Sequence, residues 1–229
     1  MDVEYAKIIH CEKCNDTGLQ IVKADGNIEY VRCNCHNKRL SMIALQKSGL
    51  AESIRNMRFD NFKIDHDYQR SMYSLCQRFI AQADSRFLYL SGQSGCGKTH
   101  LGTAICGHFI EKGIETIYAT FKTVMIEFKS NVNNDETYGE VLHRYGGVEI
   151  LYLDDFMKFT PTKADVDHAF ELINRRTVGR RTTIITSERS LDELIGIDEA
   201  LGGRIKQMCG AFSLNIVRKA GRNYRTATS

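Results

Sequence analysis

No run of about 18 consecutive apolar residues occurs in this 229-residue chain, so a transmembrane helix is not expected. The opening residues, MDVEYAKIIHC, lack a basic segment followed by an apolar one. A signal peptide is therefore not expected, and a cytoplasmic protein is the default expectation. There is no internal repeat and no low-complexity tract. A surplus of one charge is scarce too: the formal net charge is +3 and the pI about 8.4. That permits contact with nucleic acid without arguing for it, because binding needs clustered charge. Basic residues gather only near the end, at Arg218, Lys219, Arg222 and Arg225, where a solvated tail is as good a reading as a binding site.

What the chain does contain suits a globular protein, with 42% apolar and 26% charged residues. The length suits one core of ordinary domain size plus a small appendage. Of eight cysteines, four stand within the first 35 residues. In a reducing compartment such a cluster reads as metal ligands rather than disulfides.

Residues 1–37 show little apolar periodicity, and 38–58 read as a basic amphipathic helix, a break at Gly49 and a connection between two domains. From about residue 67 helix and strand alternate. A helical stretch, DYQRSMYSLCQRFIAQA, precedes the apolar run Phe87–Ser91. Strands are also expected over 114–119, 148–155, 182–187 and 212–217, with helices over 99–112, 121–130, 136–145, 163–178 and 198–208. Repeated strand–helix–strand order implies a parallel sheet with helices on both faces.

Gly92-Gln93-Ser94-Gly95-Cys96-Gly97-Lys98-Thr99 fits GxxxxGK[ST] at every position and lies between a strand and a helix, the context the motif requires. Glycines let backbone N–H groups turn toward phosphates without interference from Cβ, and the helix N-terminus adds positive dipole character. Lys98 would reach the β- and γ-phosphates and Thr99 a Mg²⁺ ion. The strand ILYLDD ends in Asp154-Asp155. Asp154 is placed to hold Mg²⁺ and Asp155 to orient or deprotonate the attacking water, although Asp is also common in a plain strand-end turn. The strand ending Thr186-Ser187-Glu188 should lie beside it, so a polar tip there could sense the γ-phosphate. By spacing alone Arg204, in ALGGRIKQM, is more simply an exposed helix arginine than a group donated to a neighbouring subunit's nucleotide.

Cys11-x₂-Cys14 and Cys33-x-Cys35 flank a short β-like stretch with a turn at Asp25-Gly26-Asn27. Four thiolates suit a closed, tetrahedral Zn²⁺ site that would supply most of the folding energy of so small a unit. His36 could replace Cys35. A redox CxxC is the alternative, but it expects a βαβ context that is absent here. Cys76, Cys106 and Cys209 read as packed thiols.

Taken together, RFDNFK (58–63), GQSGCGKTHL, ILYLDDF, INRRT, TIITSERSLDEL and DEALGGRI resemble the AAA+ helicase loaders of the DnaC/DnaI type and the related IstB-like ATPases, over essentially the whole chain. The resemblance implies an AAA+ P-loop core with a five-stranded parallel sheet, preceded by a zinc-ribbon-like domain at 1–37 that contacts the helicase, a helical linker at 38–58 and the ATPase domain at 59–229. It implies ATP, Mg²⁺ and Zn²⁺ as cofactors, slow partner-stimulated hydrolysis, and self-association through the ATPase domain. A DnaB-type helicase and single-stranded DNA are the implied partners, with no membrane. Arg204 then matches the arginine finger, and the catalytic set becomes Asp155, Arg204 and Lys98. Phe59 and Phe62 match residues near the adenine pocket, and His100 follows the P-loop. Arg225 matches the region of a second sensor arginine, and Lys122, Lys129 and Arg144 lie in the segment facing DNA. Phage and prophage replication proteins of this type have a similar size. The chain departs from the pattern at Glu188, where many loaders carry Asn, leaving Ser187 or Thr186 as the sensing residue. A transposition helper ATPase or a nucleotide-dependent adaptor shares the core motifs, but the helper would not be expected to carry the cysteine module. A small-molecule kinase would explain neither Arg204 nor the cysteines.

Overall fold

A computed structural model describes residues 10–24, 27–47, 56–217 and 219. Arg225, Gly49 and part of the Asp25–Asn27 turn lie outside the described residues.

The first regular elements among the described residues form an antiparallel hairpin, β1 (Leu19–Ala24) and β2 (Asn27–Arg32), paired from Leu19↔Arg32 to Ala24↔Asn27. Helix α1 follows at Cys35–Lys47, starting on a cysteine of the second pair. Among the described residues the next elements are α2 (Asp67–Ala81), β3 (Phe87–Gly92), α3 (Lys98–Glu111), β4 (Thr116–Thr120), α4 (Phe121–Asn131) and α5 (Asp135–Gly147). They continue with β5 (Ile150–Asp154), α6 (Lys163–Val178), β6 (Thr182–Ser187), α7 (Leu191–Ile197), α8 (Glu199–Cys209) and β7 (Ser213–Ile216). Helix α7 is an addition to the expected pattern. Ser190 caps it, accepting from the Glu193 N–H at 3.2 Å while the Glu193 carboxylate accepts from the Ser190 N–H at 2.6 Å, the reciprocal box of an S-x-x-E sequence.

The five strands β3–β7 form one parallel sheet in the order β4-β5-β6-β3-β7. Strand β3 is buried at every position, as a central parallel strand covered on both faces must be. Alternate side chains feed two cores. Phe87, Tyr89, Leu151, Leu153 and Ile185 pack beneath α4–α8, whereas Leu88, Leu90, Tyr118, Tyr152 and Ile184 pack beneath α2 and α3. Registers Ser91↔Ser187 and Thr120↔Asp154 bring the carboxyl ends of the strands to one edge, where ligands of open α/β sheets bind.

Two joints hold this frame. Arg176 on α6 is fully buried. It donates to the Tyr145, Val148 and Thr182 carbonyls and, at 2.7 Å, to Thr183 Oγ1, tying α5, β5 and β6 together. Burial, aided by the charge of Arg181, lowers its pKa. The second joint is α1, whose Ser41 Oγ accepts from the Thr116 N–H at 2.9 Å, so the segment expected as a linker helix is fixed to the edge strand β4.

Candidate nucleotide and metal sites

The P-loop runs from the end of β3 into α3. Gly92, Gly95 and Gly97 all have positive φ (143°, 78° and 101°). At two of them space as well as conformation requires glycine. A Cβ on Gly92 would lie 2.7 Å from the Ile216 carbonyl, and one on Gly97 would lie 2.8 Å from the Phe62 ring. Gly97 is the N-cap of α3, so the loop delivers its backbone N–H groups to a helix N-terminus. Lys98 is buried, and its ammonium donates to the Gly92 and Gln93 carbonyls at 2.7 and 2.9 Å. It is folded into the loop that a phosphate would occupy. Cys96 points inward and its sulfur lies 3.8 Å from Lys98 Nζ.

Asp154 is held by four donors. Its Oδ1 accepts from Thr99 Oγ1 at 3.3 Å, from the Asp155 N–H at 3.0 Å, and from Thr186 Oγ1. Its Oδ2 accepts from the Tyr118 hydroxyl at 2.9 Å. Thr99 and Asp154, the two expected Mg²⁺ ligands, are therefore already together. Burial first, then the Asp154 charge, raises the Tyr118 pKa, so the hydroxyl remains a donor. Behind it Tyr152 reaches Thr186 Oγ1 at 3.3 Å and lies against Gly102, where a Cβ would be 2.6 Å from its hydroxyl oxygen. The two tyrosines are site residues that motif reading missed, whereas Thr186 was expected at the strand tip and only its bond to Asp154 was not. The available signal was a hydroxyl in an apolar strand, which needs a partner once buried.

The tip of β6 divides its tasks. Thr186 contacts Asp154, while Ser187 is buried and donates to the Phe156 carbonyl at 2.7 Å, locking the turn after β5. Of the two expected sensing residues, the structure turns Thr186 toward the site. Asp155 sits at φ 54°. Its carboxylate pairs with Lys158 Nζ at 3.0 Å, and Glu188 approaches the same ammonium at 3.5 Å. The hydrogen bond to Asp155 heads the causes that raise the Lys158 pKa.

Arg204 lies on α8 away from the loop of its own chain. Its guanidinium donates to Asn174 Oδ1 at 2.7 Å and sits 5.8 Å from the Phe170 ring centroid, both on α6. Phe62 packs on Gly97, Tyr73 and His100, placing it at the P-loop. Phe59 meets Tyr73 edge-on and lines a cavity of about 390 Å³ with Met42, Met57 and His108, which includes no P-loop residue. His100 Nε2 is 2.8 Å from the Arg58 carbonyl. Among the basic residues of α4 and α5, Lys129 pairs with Asp165 at 2.6 Å and Arg144 with Glu127, while Lys122 is exposed.

The sulfurs of Cys11, Cys14, Cys33 and Cys35 all lie within 4.8 Å of one another, with Cys11–Cys33 at 3.8 Å and Cys14–Cys35 at 3.3 Å. Tetrahedral zinc with Zn–S bonds of about 2.3 Å needs sulfurs about 3.8 Å apart, so the cluster can hold such an ion. Burial raises the Cys14 thiol, but hydrogen bonds, led by that of Cys35, bring it down to about 7. The same contact adds to burial in pushing Cys35 up. His36 is next to the cluster but its N–H donates to the Cys33 carbonyl at 2.8 Å, and Cys35 supplies the fourth sulfur. Asp16, at φ 66°, accepts from the Cys11 N–H at 2.7 Å and pairs with the fully buried Arg39 of α1. The Cys11 N–H, followed by His10 and Arg39, holds its carboxyl below the usual range against the effect of burial.

The model of the IstB-like ATP-binding protein family matches residues 32–203, three quarters of the chain. The chain belongs to this family. Among curated proteins, this IstB-like chain is 31% identical to the uncharacterized protein YqaM of Bacillus subtilis over 192 residues. That match covers 78% of the chain and 60% of YqaM, so the chain spans about 60% of that relative's length. It is 29% identical to the replicative helicase loader DnaC of Buchnera aphidicola (from Acyrthosiphon pisum), covering 74% of this chain and 70% of that one. A solved structure of the DnaC helicase loader superposes with a TM-score of 0.61 at 20% identity, over 74% of this chain and 100% of the other, which establishes the common fold. The resemblance to DnaC-type AAA+ loaders therefore holds for the core. The family match begins at Arg32, so Cys11, Cys14 and β1 lie ahead of it. No helix among the described residues is long and apolar enough to cross a membrane.

Proposed function

We propose that this IstB-like protein is an ATP-hydrolysing loader that delivers a DnaB-type replicative helicase to single-stranded DNA in the cytoplasm, assembling with further copies of itself. The observation that carries the loader reading over a transposition helper is the convergence of Cys11, Cys14, Cys33 and Cys35 ahead of the ATPase core. Relatives named replicative helicase loaders support the same choice.

In this reading ATP lies along Gly92, Ser94, Gly95, Cys96 and Gly97, with Lys98 moving from its carbonyl partners to the β- and γ-phosphates. Phe62, and Arg225 outside the described residues, would bound the nucleotide. Thr99 and Asp154 would hold Mg²⁺, which supplies charge neutralisation at the phosphates. Asp155 takes a proton from water as the water oxygen bonds to the γ-phosphorus and the bond to the bridging oxygen breaks. Arg204 serves the site of the next subunit, where a cation stabilises the charge on the transferring phosphoryl group. That role agrees with its contacts to α6 rather than to its own P-loop. The four cysteines would hold zinc, which supplies structure rather than chemistry.

The test is mass measurement of the protein with ATP·Mg²⁺, single-stranded DNA and the cognate helicase. An ATP-dependent complex is expected, lost in Cys11→Ser with nucleotide binding intact. Lys98→Ala should lose nucleotide binding, and Arg204→Ala should keep it while losing assembly-dependent hydrolysis. Absence of a helicase complex in every nucleotide state rejects the loader reading.

A further inference from the structure

Glu188 stands where it should do harm, a carboxylate at the tip of the strand beside the phosphate site. The structure shows what accompanies it. The segment carrying Asp155 and Lys158 is fastened to the one carrying Glu188 by three hydrogen bonds. The Phe156 N–H donates to the Thr186 carbonyl at 2.8 Å, Ser187 Oγ to the Phe156 carbonyl at 2.7 Å, and Arg189 Nε to the Met157 carbonyl at 2.7 Å. Within the turn, the Lys158 N–H donates to the Asp155 carbonyl at 3.2 Å, folding the lysine back over the aspartate. Positive φ at both Asp155 and Met157 (54° and 52°) shapes this fold-back. The result is one ammonium between two carboxylates, 3.0 Å from Asp155 and 3.5 Å from Glu188. The backbone is fixed, whereas the Lys158 and Asp155 side chains are 46% and 43% exposed. Exposed pairs of this kind are weak and exchange readily.

We propose that Lys158 is a positioning residue that restrains Asp155, and that Glu188 is the second seat to which Lys158 moves when Asp155 is needed as the base. A carboxylate paired with an ammonium is held away from other partners. With Lys158 on Glu188, Asp155 is released and the charge of Glu188 is cancelled at the same moment. Glu188 is thereby the partner that makes the restraint reversible. This inference rests on the assignment of Asp155 as the base.

The experiment measures steady-state ATP hydrolysis by the full chain, alone and with helicase and single-stranded DNA. Asp155→Asn is the control, and if it leaves turnover unchanged the base assignment fails and this inference with it. Lys158→Met is expected to raise kcat of the protein alone by up to about fivefold, the upper end of what losing one exposed pair produces, with KM for ATP unchanged. Lys158→Arg should restore the restraint. Glu188→Gln should lower the partner-stimulated kcat, and Lys158→Met/Glu188→Gln should be no less active than Lys158→Met alone. A fall in kcat for Lys158→Met, with Asp155→Asn inactive, overturns the proposal and makes Lys158 a direct phosphate contact. Strict additivity of the two substitutions overturns it as well.

Discussion

The nucleotide site and the cysteine unit are built on opposite principles. At the nucleotide site, Asp154 is set by four donors, from β4, β6, α3 and the residue that follows β5, and these elements are packed in apolar cores on their own account. The cysteine unit has almost no core. Every residue of β2 is exposed, Tyr30 being 70% accessible, Ile21 of β1 is 64% accessible, and the buried residues of the unit are chiefly the cysteines. Its fixed points are four sulfurs and the pair Asp16–Arg39. The P-loop site is therefore preformed by the fold, whereas the hairpin has little besides these sulfurs and this ion pair to order it.

Metal removal should break this contrast most sharply. Structural zinc in small units is worth about 10–16 kcal/mol, more than the hairpin's own contacts can replace. Chelation, or Cys14→Ser, should abolish amide protection across β1 and β2 while the melting midpoint of the ATPase core stays in place. Helix α1 should keep its protection, because Ser41 and Thr116 join it to β4. Hydrogen exchange with and without chelator, alongside zinc content, checks this, and a hairpin that stays protected without metal rejects metal-dependent folding. The converse substitution is Arg176→Ala, expected to cost about 3–5 kcal/mol because it leaves several buried acceptors unpaired. Denaturant unfolding should show that loss in the core, with the zinc content unchanged.

The two regions also differed in how far the sequence disclosed them. The P-loop and the cysteine pairs were legible because their chemistry is local: GxxxxGKT and closely spaced thiols declare their ligands without knowledge of the fold. The five strands and their parallel order followed from alternation of short apolar runs with helices. Tyr118 and Thr186 could not be assigned to Asp154 in that way. They stand 36 and 32 residues from it, and although the strand of Thr186 was expected beside that of Asp154, the bonds themselves appear only in the order β4-β5-β6. Asp16 and Arg39, 23 residues apart, are hidden for the same reason. Helix α7 was legible and overlooked, since Ser190-x-x-Glu193 is a capping box in the sequence itself. Glu188 looked like a defect because its counter-ion, Lys158, is 30 residues away and becomes its neighbour only when β5 and β6 pair.

The smallest expected effect tests whether Asp154 is set by its hydroxyl partners or by its strand alone. Tyr118→Phe removes one donor to a buried carboxylate, a loss of about 1.5–3 kcal/mol for a hydrogen bond to a charged group. Tyr152→Phe removes a longer bond between two neutral hydroxyls, a loss of about 0.5–1.5 kcal/mol. If the web sets Asp154, Tyr118→Phe should weaken Mg²⁺-dependent ATP binding by at least about tenfold, since about 1.4 kcal/mol is a factor of ten. Binding without Mg²⁺ should change little. Tyr152→Phe, which acts only through Thr186, should weaken it less. Calorimetric titration with and without Mg²⁺ separates the two. Equal, Mg²⁺-independent losses would mean that β5 alone positions Asp154 and that the tyrosines serve only the packing under α3.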